Sequence, residues 1–187
     1  NMDRGFTWNI MGSFNGNKNI VDKLSDGFKY TLSHNVTNMS SQEAVLKYRE
    51  GHSMNAIYGL RTVGVDPQTG NRLFLDKNGN VTFAQNAEDM VYLGDSQPKV
   101  QGNISTNIAY KGFILTVGFG VRWGAKQFNA TLANKTENTH FINNLDRRVL
   151  TQSWQEPGDV VPYKKLDINN TSSNTNVCDA FVQEDNV

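Results

Sequence analysis

The chain has 187 residues, enough for one domain, and its 18 basic and 18 acidic residues leave no net charge, so nothing in the charge balance points to nucleic acid or an anionic surface as partner. The charged fraction of 19% and hydrophobic fraction of 37% are low for a soluble domain. Asn, Gly, Ser and Thr, residues of turns and water-facing strand positions, make up the difference.

A single cysteine, Cys178, excludes an internal disulfide and a multi-thiolate metal site. The opening Asn1-Met2-Asp3-Arg4-Gly5 lacks a charged n-region and an apolar core, so no signal peptide is expected. No run approaches the 18 apolar residues of a helical membrane span. Barrel strands stay open, because their signal is only about ten residues of alternating character.

The first predicted strand covers 6–17, where Phe6, Trp8, Ile10, Gly12 and Phe14 alternate with Thr7, Asn9, Met11, Ser13 and Asn15. Residues 18–100 then change texture. Ser40-Ser41-Gln42-Glu43 has the form of a capping box opening a short helix through Ala44, Leu46 and Tyr48. Ala56 to Val65 and Arg72 to Leu75 read as short strands around the turn Asp66-Pro67-Gln68-Thr69-Gly70, and Asp76-Lys77-Asn78-Gly79-Asn80 is a second turn.

A strand over 102–110 sets Ile104, Thr106, Ile108 and Tyr110 against Asn103, Ser105, Asn107 and Ala109. The strongest, over 113–124, sets Phe113, Leu115, Val117, Phe119, Val121 and Trp123 against Ile114, Thr116, Gly118, Gly120, Arg122 and Gly124. Lys111-Gly112 between them is the length of a tight hairpin turn. Each strand has one greasy and one small or polar face. Their length suits a tilted bilayer crossing better than a globular sheet, and aromatics near both ends suit interfacial girdles. The same alternation also fits a soluble β-sandwich. Residues 125–178, polar and Asn-rich from Asn129 to Asn176, read as loop.

Chemistry-bearing patterns are scarce. His34, His52 and His140 are far apart and lack metal-site spacing. Asp76, Asn78 and Asn80 imitate a calcium loop, but Val81 stands at its sixth position and Ala87 at its twelfth, so a plain turn is expected. There is no Gly-rich phosphate loop and no Gly-x-Ser-x-Gly elbow. Glu88, Asp89 and Asp95 lie close in sequence without an apolar pocket in view, and read as solvated charges. No enzyme, no metal and no cofactor is expected. Tyr58, Tyr92 and Trp154 are the candidates for stacking on a sugar or packing against a protein lid, or for anchoring the loops' own core.

Taken in order, the segments resemble the late barrel region of SusC/RagA-type TonB-dependent outer-membrane transporters. Trp8-Asn9-Ile10-Met11-Gly12-Ser13-Phe14-Asn15-Gly16-Asn17-Lys18-Asn19 is similar to an upward strand of that family, and Arg49-Glu50-Gly51-His52-Ser53-Met54-Asn55-Ala56-Ile57-Tyr58-Gly59-Leu60 to a loop element. Tyr92-Leu93-Gly94-Asp95-Ser96-Gln97-Pro98-Lys99, Gly102 and Tyr110-Lys111-Gly112-Phe113 are similar to the run entering a late hairpin. Trp154-Gln155-Glu156-Pro157-Gly158-Asp159 with Pro162, then Ala180-Phe181-Val182-Gln183-Glu184-Asp185, continue the likeness, which covers nearly the whole chain. Ile114, Asn103 and Ser153 depart from it, standing where Asp, Gly and Arg are usual.

The resemblance implies an all-β fold: a segment of a 22-stranded antiparallel transmembrane β-barrel with long extracellular loops, near 18–100 and 125–178. It implies bacterial outer-membrane localisation and uptake of glycans or peptides, energised by TonB through an N-terminal plug outside this sequence and lidded by a SusD-like surface lipoprotein. In such a wall Phe113, Leu115, Val117, Phe119 and Val121 would face lipid. Asn103, Ser105, Asn107, Thr116 and Arg122 would face the lumen. The alternative is a soluble all-β carbohydrate- or protein-binding module.

Overall fold

A computed structural model describes residues 5–27, 48–139, 144–166 and 177–185. The capping box at Ser40 lies outside them, as do His34 and His140. The described chain is chiefly strands: β1 Phe6–Asn15, β2 Ala56–Gly59, β3 Arg61–Val65, β4 Arg72–Leu75, β5 Val81–Thr82, β6 Val91–Asp95, β7 Val100–Tyr110, β8 Phe113–Trp123, β9 Ala125–Phe128 and β10 Val182–Asp185.

The three long strands form one antiparallel sheet in the order β1-β7-β8. β1 ends at Asn15, short of the expected 17, and β7 begins at Val100, ahead of the expected 102. Lys111 and Gly112 take φ of 46° and 89°, the two left-handed positions of a hairpin turn whose twist matches its strands. The register pairs Ile108 with Leu115 and with Trp8, and Asn107 with Thr116 and with Asn9. Directly paired residues share a face, so the alternation written in each strand adds up across all three. No described element covers the apolar side: Phe113 is 82% exposed, and Trp8, Leu115 and Phe119 are exposed too.

The described parts of the segments read from sequence as long loops form a folded unit with its own core. β2 pairs with β6, β3 with β4, β4 with β5, and β9 with β10. Ala56, Tyr58, Leu60, Phe74, Met90, Leu132, Ala133, Cys178 and Phe181 pack together at its centre. Helix Ala130–Thr136, inside the stretch read as irregular, is capped by the Asn129 side chain, which accepts the Leu132 N–H at 2.8 Å. Seven residues are too few to hold a helix alone; burial of Leu132, Ala133 and Thr136 holds it. A second short helix, Val149–Gln152, buries Val149.

The turn at Asp66 forms as its Pro and Gly predict. The Asp66 carboxylate accepts the Thr69 hydroxyl at 2.5 Å and the Gln68 N–H at 3.2 Å, and these bonds lower its pKa. Asp76 likewise accepts the N–H groups of Asn78 and Asn80, each at 2.8 Å, with Oδ1, and the Asn80 amide at 3.1 Å with Oδ2. Both of its oxygens close the turn on itself.

Candidate functional site

The sheet's two faces differ in the groups they carry. On the apolar face the rows, counted from the hairpin turn, are Phe6–Tyr110–Phe113, Trp8–Ile108–Leu115, Ile10–Thr106–Val117, Gly12–Ile104–Phe119 and Phe14–Gly102–Val121, with Val100–Trp123 beyond. Strand residues on one face repeat about every 6.7 Å, so at the roughly 35–45° tilt of strands in a membrane barrel these rows would span roughly the 25 Å of an apolar band. Phe6 and Tyr110 pack ring to ring at 6.5 Å, and the Lys111 ammonium sits 5.3 Å from the Tyr110 ring centre at the turn. Inside the end row of Tyr110, Thr106 carries the one hydroxyl on this face, and it accepts the Trp8 Nε1–H at 2.7 Å. Two polar groups on the greasy side thereby satisfy each other.

The opposite face carries Asn103, Ser105, Asn107, Thr116 and Arg122 in paired rows. Here too the groups pair across strands: the Ser13 hydroxyl donates to Asn103 Oδ1, and the Thr116 hydroxyl donates to Asn107 Oδ1 at 2.6 Å. Arg122 reaches β10 and pairs with Asp185 at 2.7 Å. That contact ties the long-stranded sheet to the folded unit.

Above this face lies a cavity of about 560 Å³, between the chain that follows β1 and the segments 51–53 and 92–99. Lys99 continues the polar row, since its N–H donates to the Trp123 carbonyl at 2.9 Å and its side chain lies 3.0–3.3 Å from where a Cβ on Gly124 would stand. Asn17, Lys18, His52, Tyr92 and Gln97 complete the working part of the lining. Gln97 Oε1 accepts the side-chain amide of Asn55 at 3.2 Å and that of Asn19 at 3.5 Å, fixing which way that amide points.

The three aromatic candidates part company. Tyr92 is 47% exposed and lines the cavity; its ring meets His52 at 5.7 Å and Tyr58 at 6.0 Å. Tyr58 is 1% exposed, so it presents no ring to a substrate or lid. It lies on β2, where the pairing with β6 shifts register, with the Arg49 guanidinium 4.9 Å over its ring, and desolvation raises its phenol pKa. Trp154 is half-buried, donates its indole N–H to the Pro67 carbonyl at 2.8 Å and lies against Gly70. It anchors the Asp66 turn. His52 was not among the binding candidates; its place between two tyrosines depends on a fold that brings 52, 58 and 92 together.

No family model matches this sequence, and no curated protein matches it. Among solved structures, the chain is similar to part of "Structure of the RagAB peptide transporter" (TM-score 0.60, 22% identity, 84% of this chain and 18% of that one). It is also similar to the RagAB peptide importer in the "open-open" state (TM-score 0.67, 16% identity, 97% and 19%) and in the "closed-closed" state (TM-score 0.54, 16% identity, 86% and 19%). The chain thus spans about a fifth of the length of the chains it matches. What it shares with them is the fold.

Proposed function

We propose that this chain is a wall segment and outer unit of an outer-membrane barrel transporter that imports peptides, with glycans the second cargo class. The observation that carries the reading is the uncovered apolar face of β1-β7-β8, opposite a face whose polar groups are paired. A soluble sheet exposing so wide an apolar surface would aggregate; hydrocarbon is the solvent that suits it. The likeness of fold to RagAB transporter chains supports the same conclusion.

In this reading the strands belong to a 22-stranded barrel in the bacterial outer membrane, with the Lys111-Gly112 turn periplasmic and the folded unit outside the cell. TonB supplies energy through a plug elsewhere in the protein, and a SusD-like lipoprotein closes the top. The chain binds and passes cargo and catalyses nothing.

The test places Arg at Val117 or at Gly118 in the full-length protein. Val117 stands mid-height on the apolar face, where Arg costs about 2–4 kcal/mol in lipid. Gly118 is on the other face, and a Cβ there meets nothing within 4 Å. Membrane assembly should collapse for V117R and persist for G118R. Equal assembly of both, or solubility of the native protein without detergent, would favour the soluble binding module.

A further inference from the structure

The cavity above the polar face has a chemistry that wall-building does not require. Lys18 and Lys99 enter it from two different segments, and among the described residues neither has an ion-pair partner. The lining's one carboxylate is Asp95, whose Oδ1 already accepts the Gln97 N–H at 2.8 Å. Asn17 and Asn19 add side-chain amide donors, and the exposed Tyr92 ring forms one wall, packed against His52, which also lines the cavity, and against the buried Tyr58. Two free ammonium groups, amide donors and a braced ring suit an anion carried by a flexible organic chain. Ammonium groups give charge-assisted hydrogen bonds to carboxylate oxygens, and a phenol ring gives a flat apolar contact with low entropy cost on ordering.

We propose that this cavity is a carboxylate-binding subsite for short peptides, in which Lys18 and Lys99 hold the carboxylate and Tyr92 supports the adjoining residue. The proposal rests on peptide import as the protein's activity. The carboxylate has two sources, the peptide's C-terminus or an Asp or Glu side chain.

The experiment uses the full-length transporter purified with its partner in detergent, and titrates three peptides calorimetrically. These are tetra-alanine with a free C-terminus, the same peptide as its C-terminal amide, and an amidated Ala-Glu-Ala-Ala. At least one carboxylate-bearing peptide should bind about tenfold more tightly than the neutral amide. That advantage should shrink at high salt, which screens a partly exposed pair. A gain confined to the free acid assigns the C-terminus, and one confined to the Glu peptide assigns the side chain. The K18Q/K99Q double variant should erase the preference, and K18R/K99R should keep it.

Equal affinity of all three peptides for the native protein overturns the subsite and leaves peptide import standing. So does a preference that survives K18Q/K99Q. Failure of any peptide to bind overturns peptide import and the subsite together.

Discussion

The Arg72 guanidinium and the Glu137 carboxylate, 65 residues apart, close on each other with no solvent between them. Nε donates to both carboxylate oxygens at 3.0 and 3.1 Å, and Nη2 donates to one of them and to the Pro162 carbonyl at 2.7 Å. The side chains are 4% and 0% exposed. The Lys164 N–H also donates to the same carboxylate, at 3.2 Å. One ion pair therefore joins β4, the end of helix Ala130–Thr136 and the chain near 162–164.

Breaking that pair from one side strands a buried charge, which typically costs about 3–5 kcal/mol, whereas replacing both charges with apolar groups of similar volume is often near neutral. Glu137→Leu should make the folded unit around β2–β6 readily cleaved by protease in the full-length protein. Arg72→Met with Glu137→Leu should restore much of the resistance. Equal fragility of the single and double variants would contradict the pairing.

The Trp8–Thr106 hydrogen bond gives a probe of what bathes the apolar face. In hydrocarbon, Thr106→Val leaves the indole N–H with no partner, at a cost of about 1–3 kcal/mol. Adding Trp8→Phe removes the orphan, so the double variant should lose less than the single variant plus Trp8→Phe alone would sum to. Urea unfolding in detergent micelles reads this difference. If water wets the face, it replaces the lost partner and the coupling vanishes.

Gly70 has φ +69° and stands where a Cβ would come within 2.5 Å of the Trp154 ring. Gly70→Ala is strained in backbone and blocked in space, and should cost about 1–3 kcal/mol. The displaced indole would lose its bond to Pro67 and move toward water. A red shift of tryptophan emission relative to the native protein, absent from a Trp154→Phe/Gly70→Ala variant, would report it.

Burial pushes the Cys178 thiol up to about 12, although nearby Arg72 pulls the other way. The folded thiol should resist maleimide at pH 8 and react once the protein is unfolded, because the thiolate is the reactive form. The thiol's pKa is raised on folding, so its stabilising contribution is whole below the ordinary thiol value near 9. That contribution declines as pH climbs toward 12, while the unfolded chain ionises and the folded one does not. The urea midpoint should therefore fall more steeply with pH in the native protein than in Cys178→Ala.

How much of this was legible in the sequence depends on how local its cause is. The faces of β1, β7 and β8 were readable, because alternation is a property of each strand alone. So was the turn at Asp66, written in Pro67 and Gly70. The pairing of β1 with β7 was not, since Trp8 and Thr106 are 98 residues apart and no local rule sets that register. Helix Ala130–Thr136 was missed because it stands on burial rather than on propensity. Of the two roles open to Tyr58, its burial fits the anchoring one, which sequence alone could not choose because Tyr92, against its ring, lies 34 residues away. The apolar run from Ala56 to Leu60 was the sign that it enters a core. The cavity was illegible for the same reason, assembled as it is from 16–20, 51–53 and 92–99.

The folded unit's core draws on chain from both sides of the hairpin: Thr62, on one side, donates its backbone N–H to the Asp179 carboxylate at 3.0 Å across 117 residues. Closing so long a loop in an open chain is slow, because its entropy must be spent before the contacts reward it. Once β7 and β8 zip from the Lys111-Gly112 turn, the chain before Val100 and the chain after Trp123 leave from adjacent points. The hairpin thus converts a remote encounter into a near one and shortens the loop that the folded unit has to close.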